Sequence, residues 1–259
     1  MNELEAIRQH VWGELRRVAR PDSRFHWDFT AFIPDFDDSA ACAASIRDLP
    51  QYRQAAAVCV TPDNCLAEVR AGCLADGKTL WVPTYALGRG FWQLAPGSVP
   101  AGQEAYAATL DGLERFAKPC LVETAEPAAG PALLVTGASV INTQGVRISR
   151  DPSYFDLEWL ILRALDLVHP DATIIAAVHD CQVVEWDCEP QPFSAIADLI
   201  VTPTRVITAA PPLPKPDRID WADLAWEVIR DVPLLLALYE RDPSRTGTPS
   251  RPGPAARGE

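Results

Sequence analysis

The sequence lacks the patterns that mark several large protein classes. It has no CxxC pair among its seven cysteines, and none of their spacings matches a common zinc motif. No apolar run is long enough to cross a bilayer, and the charged N-terminal segment is unlike a signal peptide. We therefore expect a cytoplasmic protein without a membrane partner, whose cysteines stay reduced and mostly pack as small apolar residues.

Basic residues are also scarce, and they are not clustered. The chain has 23 Lys and Arg against 35 Asp and Glu, which gives a net charge of −12. Proteins that bind nucleic acid usually carry a basic patch, and this sequence has none. We expect a small-molecule substrate rather than nucleic acid, bound by a monomer or a homodimer.

What the sequence does have is a regular alternation of short apolar strands and helical segments. Residues 3–18 have the apolar stripe of an amphipathic helix, and "AAAVCVT" (55–61) has the composition of a buried strand. Further strand-like segments, "ALLVTG" and "ATIIAAVHD", flank a helical pattern over 154–168. This alternation predicts an α/β fold with a mostly parallel sheet.

The alternation also suggests a division of the chain. It covers residues 1–217 and ends at the proline-rich "AAPPLPKPDRIDW", after which 218–241 is predicted to be a C-terminal helical extension. Residues 242–259 are rich in Pro, Gly, Ser and Arg, a composition typical of a disordered tail. The extension either packs on the domain or offers a docking surface made of four apolar residues: Leu224, Val228, Leu235 and Leu238.

Ligands of open α/β sheets bind beyond the carboxyl ends of the strands, and "GVRISRDPSYFDLEW" (145–159) follows one such end. Ser153 is a natural N-cap, and Asp156 is placed to complete a capping box. In one interpretation these residues simply begin a helix while Arg147 and Arg150 are solvated. In the other, an anion lies at the helix N-terminus with both arginines as counter-charges.

A second strand end carries "VHDCQVV". If the strand continued, alternation would place His179 and Cys181 on one face, close enough for a thiolate–imidazole pair. The alternative is that the two residues only pack together.

Taken together, several segments resemble one family. "GKTLWVPTY", "LLVTGASVINTQGVRIS…SYFD" and "VHDCQVVE…IADLIVTPTRVI" occur in the order found in 5-formyltetrahydrofolate cyclo-ligases. The resemblance covers about residues 3–217. It implies a three-layer, Rossmann-like α/β/α fold and an ATP- and Mg²⁺-dependent closure of 5-formyltetrahydrofolate to the 5,10-methenyl compound, in which phosphate makes the formyl oxygen a good leaving group.

The resemblance also implies roles for individual residues. Arg8 fits an arginine of the first helix, Gln182 fits a glutamine after the penultimate strand, and Asp156 fits a metal ligand. The candidate nucleotide contacts are Arg8, Arg150, Ser153, Tyr154 and Gln182. The candidate catalytic residues are Arg147 and, from the strand-end pattern described above, His179 and Cys181. The family's turn, R-[LI]-G-x-G-x-G-Y-[YF]-D, loses its three glycines here to Ser149, Asp151 and Ser153. Side chains at these positions hinder the close approach of the backbone to a triphosphate.

Three functions are therefore open. The first is an ATP-dependent cyclo-ligase. The second is a diverged paralogue that binds or transforms a folate-like or other carbonyl or amine compound without ATP. The third is an interaction module without enzymatic activity.

Overall fold

The structure of the protein is a computed structural model. It describes residues 3–22, 27–29, 32–120, 122, 125–126, 129–148 and 152–243. Arg150 and residues 244–259, the main part of the predicted disordered tail, lie outside the described residues, so both predictions stay predictions.

The described residues form an alternating series of helices and strands. The helices are α1 (Glu3–Val18), α2 (Ser39–Asp48), α3 (Pro50–Gln54), α4 (Ala67–Ala75), α5 (Glu104–Ala107), α6 (Leu110–Phe116), α7 (Tyr154–Ala164), α8 (Trp226–Asp231) and α9 (Pro233–Arg241). The strands are β1 (Ala57–Val60), β2 (Thr79–Pro83), β3 (Phe91–Leu94), β4 (Lys118–Cys120), β5 (Leu133–Thr136), β6 (Ile141–Asn142), β7 (Thr173–Ala177), β8 (Val183–Val184), β9 (Leu199–Val201) and β10 (Val206–Thr208).

Eight of these strands form one sheet in the order β10-β9-β7-β5-β1-β2-β3-β4. The central strands β9, β7, β5, β1 and β2 are parallel, whereas β10 pairs antiparallel with β9, and β3 and β4 continue antiparallel from β2. The predicted α/β fold with a mostly parallel sheet is confirmed. The short strands β6 and β8 form a separate parallel pair.

Helices cover both faces of the sheet, which makes three layers. Alternate residues of β1 show this, because Cys59 packs in the apolar cluster under α7 while Val58 packs in the cluster under α2 and α4. Both side chains are at most 1% exposed. A parallel strand buried on both faces must be apolar at every position, which explains why "AVCV" shows no polar alternation.

The C-terminal helices belong to the same core as α7. Leu224 and Leu235 are fully buried, and Val228 and Leu238 pack partly buried against the same cluster. The apolar face that could have formed a docking surface therefore packs on the domain itself. The segment before α8 is also tied to α7, because Trp159 Nε1 donates a hydrogen bond to the Pro216 carbonyl at 2.8 Å.

The cysteines and the end of α7 can also be compared with the predictions. Four of the seven free cysteines are buried, as expected for small apolar residues: Cys42, Cys59, Cys65 and Cys73. The helix predicted over 154–168 ends at Ala164, because Asp166 adopts a left-handed backbone conformation with φ 54°. Within the described ranges, no helix combines the length and the apolar character needed to span a membrane.

Candidate active site

The strand order places a topological switch point between β1 and β5. From β1 the chain proceeds to β2, β3 and β4 on one side, and the later strands β5, β7 and β9 extend the sheet on the other side. In open α/β sheets, ligands bind at the carboxyl ends of the strands beside this switch. Here Asp63 follows β1, Gly137 follows β5, and the Gly137 amide donates a hydrogen bond to Asp63 Oδ2 at 3.1 Å.

Asp63 offers a carboxylate oxygen at this position. Its Oδ2 also accepts a hydrogen bond from the Thr61 hydroxyl, whereas its Oδ1 has no hydrogen-bond partner among the described residues. Burial raises the pKa of Asp63, although hydrogen bonds from Thr61 and Gly137 and the charges of Arg70 and Arg147 act in the opposite direction. Asp63 was not among the residues predicted from the sequence; the available signal was a carboxylate three positions beyond the first buried strand.

A buried arginine fixes the loop that carries Asp63. Arg70, on α4, is 1% exposed. Its Nη1 donates to the carbonyl oxygens of Thr61 at 2.7 Å and Asp63 at 3.0 Å, and its Nε donates to the Ala108 carbonyl at 2.8 Å. The guanidinium thus satisfies three carbonyl oxygens and keeps the position of the carboxylate defined.

The start of α7 forms the capping box predicted from the sequence. The Asp156 amide donates to Ser153 Oγ at 3.2 Å, and the Ser153 amide donates to Asp156 Oδ2 at 2.9 Å. The Ser153 hydroxyl donates to the same oxygen at 2.6 Å. Asp156 Oδ1 accepts from Arg147 Nη2 at 2.6 Å and from the Ala195 amide at 2.9 Å.

Arg147 is buried and not solvated, so the solvated alternative is wrong for this arginine. Its side chain is 6% exposed and pairs with Asp156, whose side chain is 5% exposed. The guanidinium carbon lies 4.5 Å from the centroid of the Phe155 ring. Its Nε is buried without a hydrogen-bond partner among the described residues. Asp156 thus occupies Nη2 of this guanidinium, whereas Nε is left without a partner in the described part of the chain.

The magnesium ion implied by the resemblance does not fit Asp156 in this arrangement. A carboxylate has about four acceptor positions, and hydrogen bonds from Arg147, Ala195 and Ser153 occupy all of them. In the part of the chain that the structure describes, no group of three or more His, Cys, Asp and Glu side chains is arranged to hold a metal ion. We therefore derive no catalytic step through ATP and magnesium at this turn.

Three other predicted contacts lie at different places. Arg8 is half-buried on α1. Tyr154 is exposed at the start of α7, with its ring 6.4 Å from that of Tyr85. Gln182 is 1% exposed and structural: its Nε2 donates to the Ala138 carbonyl at 2.6 Å, and its Oε1 accepts from the His179 amide at 2.7 Å. Gln182 thereby ties the end of β7 to the end of β5.

His179 and Cys181 lie together as predicted, but on a 3₁₀ turn and not along a strand. Residues 180–182 form this turn, with His179 as its N-cap. His179 Nδ1 is 3.2 Å from Cys181 Sγ and accepts a hydrogen bond from the Cys181 amide, also at 3.2 Å. The strand-alternation reasoning was wrong because backbone hydrogen bonding to β9 ends at Val178, where the chain turns away.

The Cys181 thiol is expected to react slowly with alkylating reagents at neutral pH. Burial raises the pKa of Cys181 to about 11, and Glu14 and Asp180 contribute in the same direction. The thiolate fraction at pH 7 is then on the order of 10⁻⁴, too small for an activated nucleophile. Iodoacetamide labelling followed by peptide mass spectrometry measures this. Labelling of Cys181 faster than that of a free cysteine in solution would contradict the expectation.

Glu158 is a second carboxyl group that the sequence did not reveal. It lies on α7, is 3% exposed, and has its Oε2 buried without a hydrogen-bond partner among the described residues. Burial raises the pKa of Glu158 well above its usual range; Asp63 adds to the rise, and Arg147 opposes it. The interior below the α7 N-terminus therefore favours a neutral carboxyl group.

Comparison with known proteins gives a consistent result. The sequence profile of the 5-formyltetrahydrofolate cyclo-ligase family matches residues 1–191. The human methenyltetrahydrofolate synthase domain-containing protein is 30% identical over 239 residues, which are 91% of this chain and 61% of the human protein. The mouse protein of the same name is 29% identical over 241 residues, which are 92% of this chain and 63% of the mouse protein. This chain thus spans less than two thirds of these relatives.

Among solved structures, the NMR structure of Aquifex aeolicus 5,10-methenyltetrahydrofolate synthetase matches with a TM-score of 0.49 and 14% sequence identity. The match covers 79% of this chain and 92% of the Aquifex chain. The profile match extends through β8 and includes Asp63, the Arg147–Asp156 pair and His179. This chain belongs to the 5-formyltetrahydrofolate cyclo-ligase family.

Proposed function

We propose that this protein is a diverged member of its family that no longer uses ATP. It binds a folate-type N-acyl compound at the carboxyl ends of the parallel strands. The observation that carries the proposal is the side-chain network at the α7 N-terminus, where Ser153 replaces a glycine of the family's turn and donates to Asp156, which also pairs with the buried Arg147. The side chains of Arg147 and Asp156 are at most 6% exposed, and every acceptor position of the carboxylate is filled from within the domain. Asp156, the residue that would hold the metal ion, is thus used by the fold.

Asp63 supports the retention of a substrate site. It lies at the switch point and is held in place by Arg70 and Gly137, and its Oδ1 has no partner among the described residues. A carboxylate in such a position binds N–H groups of a heterocycle through charge-assisted hydrogen bonds. Family membership supports a folate-type compound as the source of those groups.

The proposal is tested by a thermal-shift panel of 5-formyltetrahydrofolate, ATP with Mg²⁺, and both together. A ligand at about 100 times its Kd stabilises the folded state by about 2.7 kcal/mol, which corresponds to a rise in Tm of about 5–10 °C for a chain of this size. We expect this rise with the folate compound and none with ATP and Mg²⁺. A rise with ATP and Mg²⁺, or substrate-dependent release of ADP, would instead support the ATP-dependent cyclo-ligase.

Asp63→Asn provides the matched variant for the panel. Loss of one charge-assisted hydrogen bond is expected to weaken folate binding by about 10- to 100-fold. Asp111→Asn is the control, because Asp111 is an exposed residue in the first turn of α6. Equal folate affinity in both variants would remove Asp63 from the proposed site.

A further inference from the structure

His179 is the N-cap of the 3₁₀ turn formed by residues 180–182, and neighbouring groups determine the tautomer of its ring. The ring is half-buried, and its edge contacts Phe36 at a centroid distance of 5.8 Å. The backbone is held by the hydrogen bond from the His179 amide to Gln182 Oε1. Both the position of the ring and that of the backbone are therefore defined.

The hydrogen bonds decide which ring nitrogen carries the proton. A backbone amide can only donate, so His179 Nδ1, which accepts from the Cys181 amide at 3.2 Å, must present its lone pair. The Cys181 sulfur lies 3.2 Å from the same nitrogen. The neutral ring then has its proton on Nε2, which has no hydrogen-bond partner among the described residues.

We propose that His179 is a neutral hydrogen-bond donor that binds the carbonyl oxygen of the acyl group through Nε2–H, with Cys181 as the positioning residue that fixes its tautomer. This inference rests on the proposed function. It assigns the His–Cys pair a role in polarising a carbonyl group and not in nucleophilic attack. A neutral donor at a carbonyl oxygen stabilises the negative charge that develops there when an amine or water adds to the carbon.

His179 and Asp63 follow strands that end at the same edge of the sheet. His179 follows β7 and Asp63 follows β1, and β5 is the single strand between them. Neighbouring strands are about 4.8 Å apart, so the two strand ends are about 10 Å apart. We expect His179 to donate to the acyl carbonyl at one end of the compound and Asp63 to accept from the ring N–H groups at the other end.

The matched control is another histidine at the opposite end of β7. His169 Nδ1 accepts from the Asp171 amide at 3.2 Å, so His169 has the same local hydrogen bond as His179. Its side chain is 73% exposed and lies at the amino edge of the sheet, away from Asp63. The two histidines thus share a local motif and differ in position.

The test combines nitrogen NMR of the histidine rings with calorimetric binding of 5-formyltetrahydrofolate. In the ligand-free protein at neutral pH, we expect the His179 ring to be neutral with its proton on Nε2. His179→Ala is expected to weaken binding by about 2- to 10-fold, the effect of one neutral hydrogen bond, and His179→Gln, which keeps an N–H donor, by less. The formyl carbonyl stretch of the bound, carbon-13-labelled compound should lie at lower frequency in the wild type than in His179→Ala. His169→Ala should leave both unchanged.

The outcomes separate this inference from the proposed function. If the wild type binds the compound but His179→Ala shows the same affinity and carbonyl frequency, the role of His179 is overturned and the proposed function stands. A proton on Nδ1, in a neutral ring or an imidazolium, overturns the inference whatever binds. If the wild type does not bind 5-formyltetrahydrofolate, the proposed function fails, and the role assigned to His179 fails with it.

Discussion

Truncation of the protein after Arg218 is expected to abolish cooperative folding. The removed segment contributes five side chains to the core under α7, each at most 8% exposed: Trp221, Leu224, Ile229, Val232 and Leu235. Burial of each such side chain contributes about 1.5–3 kcal/mol, and a domain of this kind is stable by only about 5–15 kcal/mol in total. Circular dichroism melting and size-exclusion chromatography of the truncated chain measure the effect.

Truncation after Pro243 is the control for this experiment. It removes only residues 244–259 and keeps α8 and α9 with all their core contacts. We expect its melting temperature to match that of the full chain. If the chain ending at Arg218 also melts cooperatively near the wild-type temperature, residues 218–241 form a separable extension, as the sequence division suggested, and their burial contributes little to stability.

Arg147→Met is expected to lower the free energy of unfolding by about 3–5 kcal/mol. The substitution leaves the Asp156 carboxylate buried without its counter-charge, and removal of one partner of a buried ion pair has an effect of this size. Methionine keeps an unbranched apolar side chain, so the change mainly removes the charge and its contact with the Phe155 ring. Urea unfolding followed by tryptophan fluorescence provides the measurement.

Arg53→Met is the matched control for Arg147→Met. Arg53 pairs with Asp48 at 2.7 Å, but the two side chains are 64% and 81% exposed. Exposed ion pairs contribute about 0–1 kcal/mol, so this variant should unfold almost like the wild type. If Arg147→Met and Arg53→Met lose similar amounts, the pair at the α7 N-terminus does not support the fold, and that part of the support for the loss of ATP use disappears.

The Ser153–Asp156 hydrogen bonds show what one departure from the family pattern does at this turn. Ser153 replaces a glycine of that pattern, and its hydroxyl both caps α7 and donates to Asp156. A glycine at position 153 would leave both of these bonds unmade. The substitution therefore exchanges a backbone open to an anion for a side-chain network that fixes the helix start.

Much of the architecture was predictable because it depends on residues close in sequence. The α1 stripe, the apolar strand β1 and the spacing of Ser153 and Asp156 each define a local structure through neighbours a few positions away. The family resemblance added the three-layer, Rossmann-like arrangement to this list. The antiparallel edge strands β3, β4 and β10 were not predicted, since strand direction at an edge depends on the path of the connecting loops.

The amino-acid sequence by itself determined the α/β class, the capping box at α7 and the closeness of His179 to Cys181. Only the tertiary structure decided what these residues do. Asp63 accepts a hydrogen bond from the amide of Gly137, which is 74 positions away in the sequence. Arg147 donates to Asp156 in the interior of the domain, where both side chains are buried. Such contacts depend on which strands are neighbours and on how each helix lies on the sheet. Burial, and not spacing in the sequence, then decides whether a charged side chain pairs within the fold or stays accessible to a ligand.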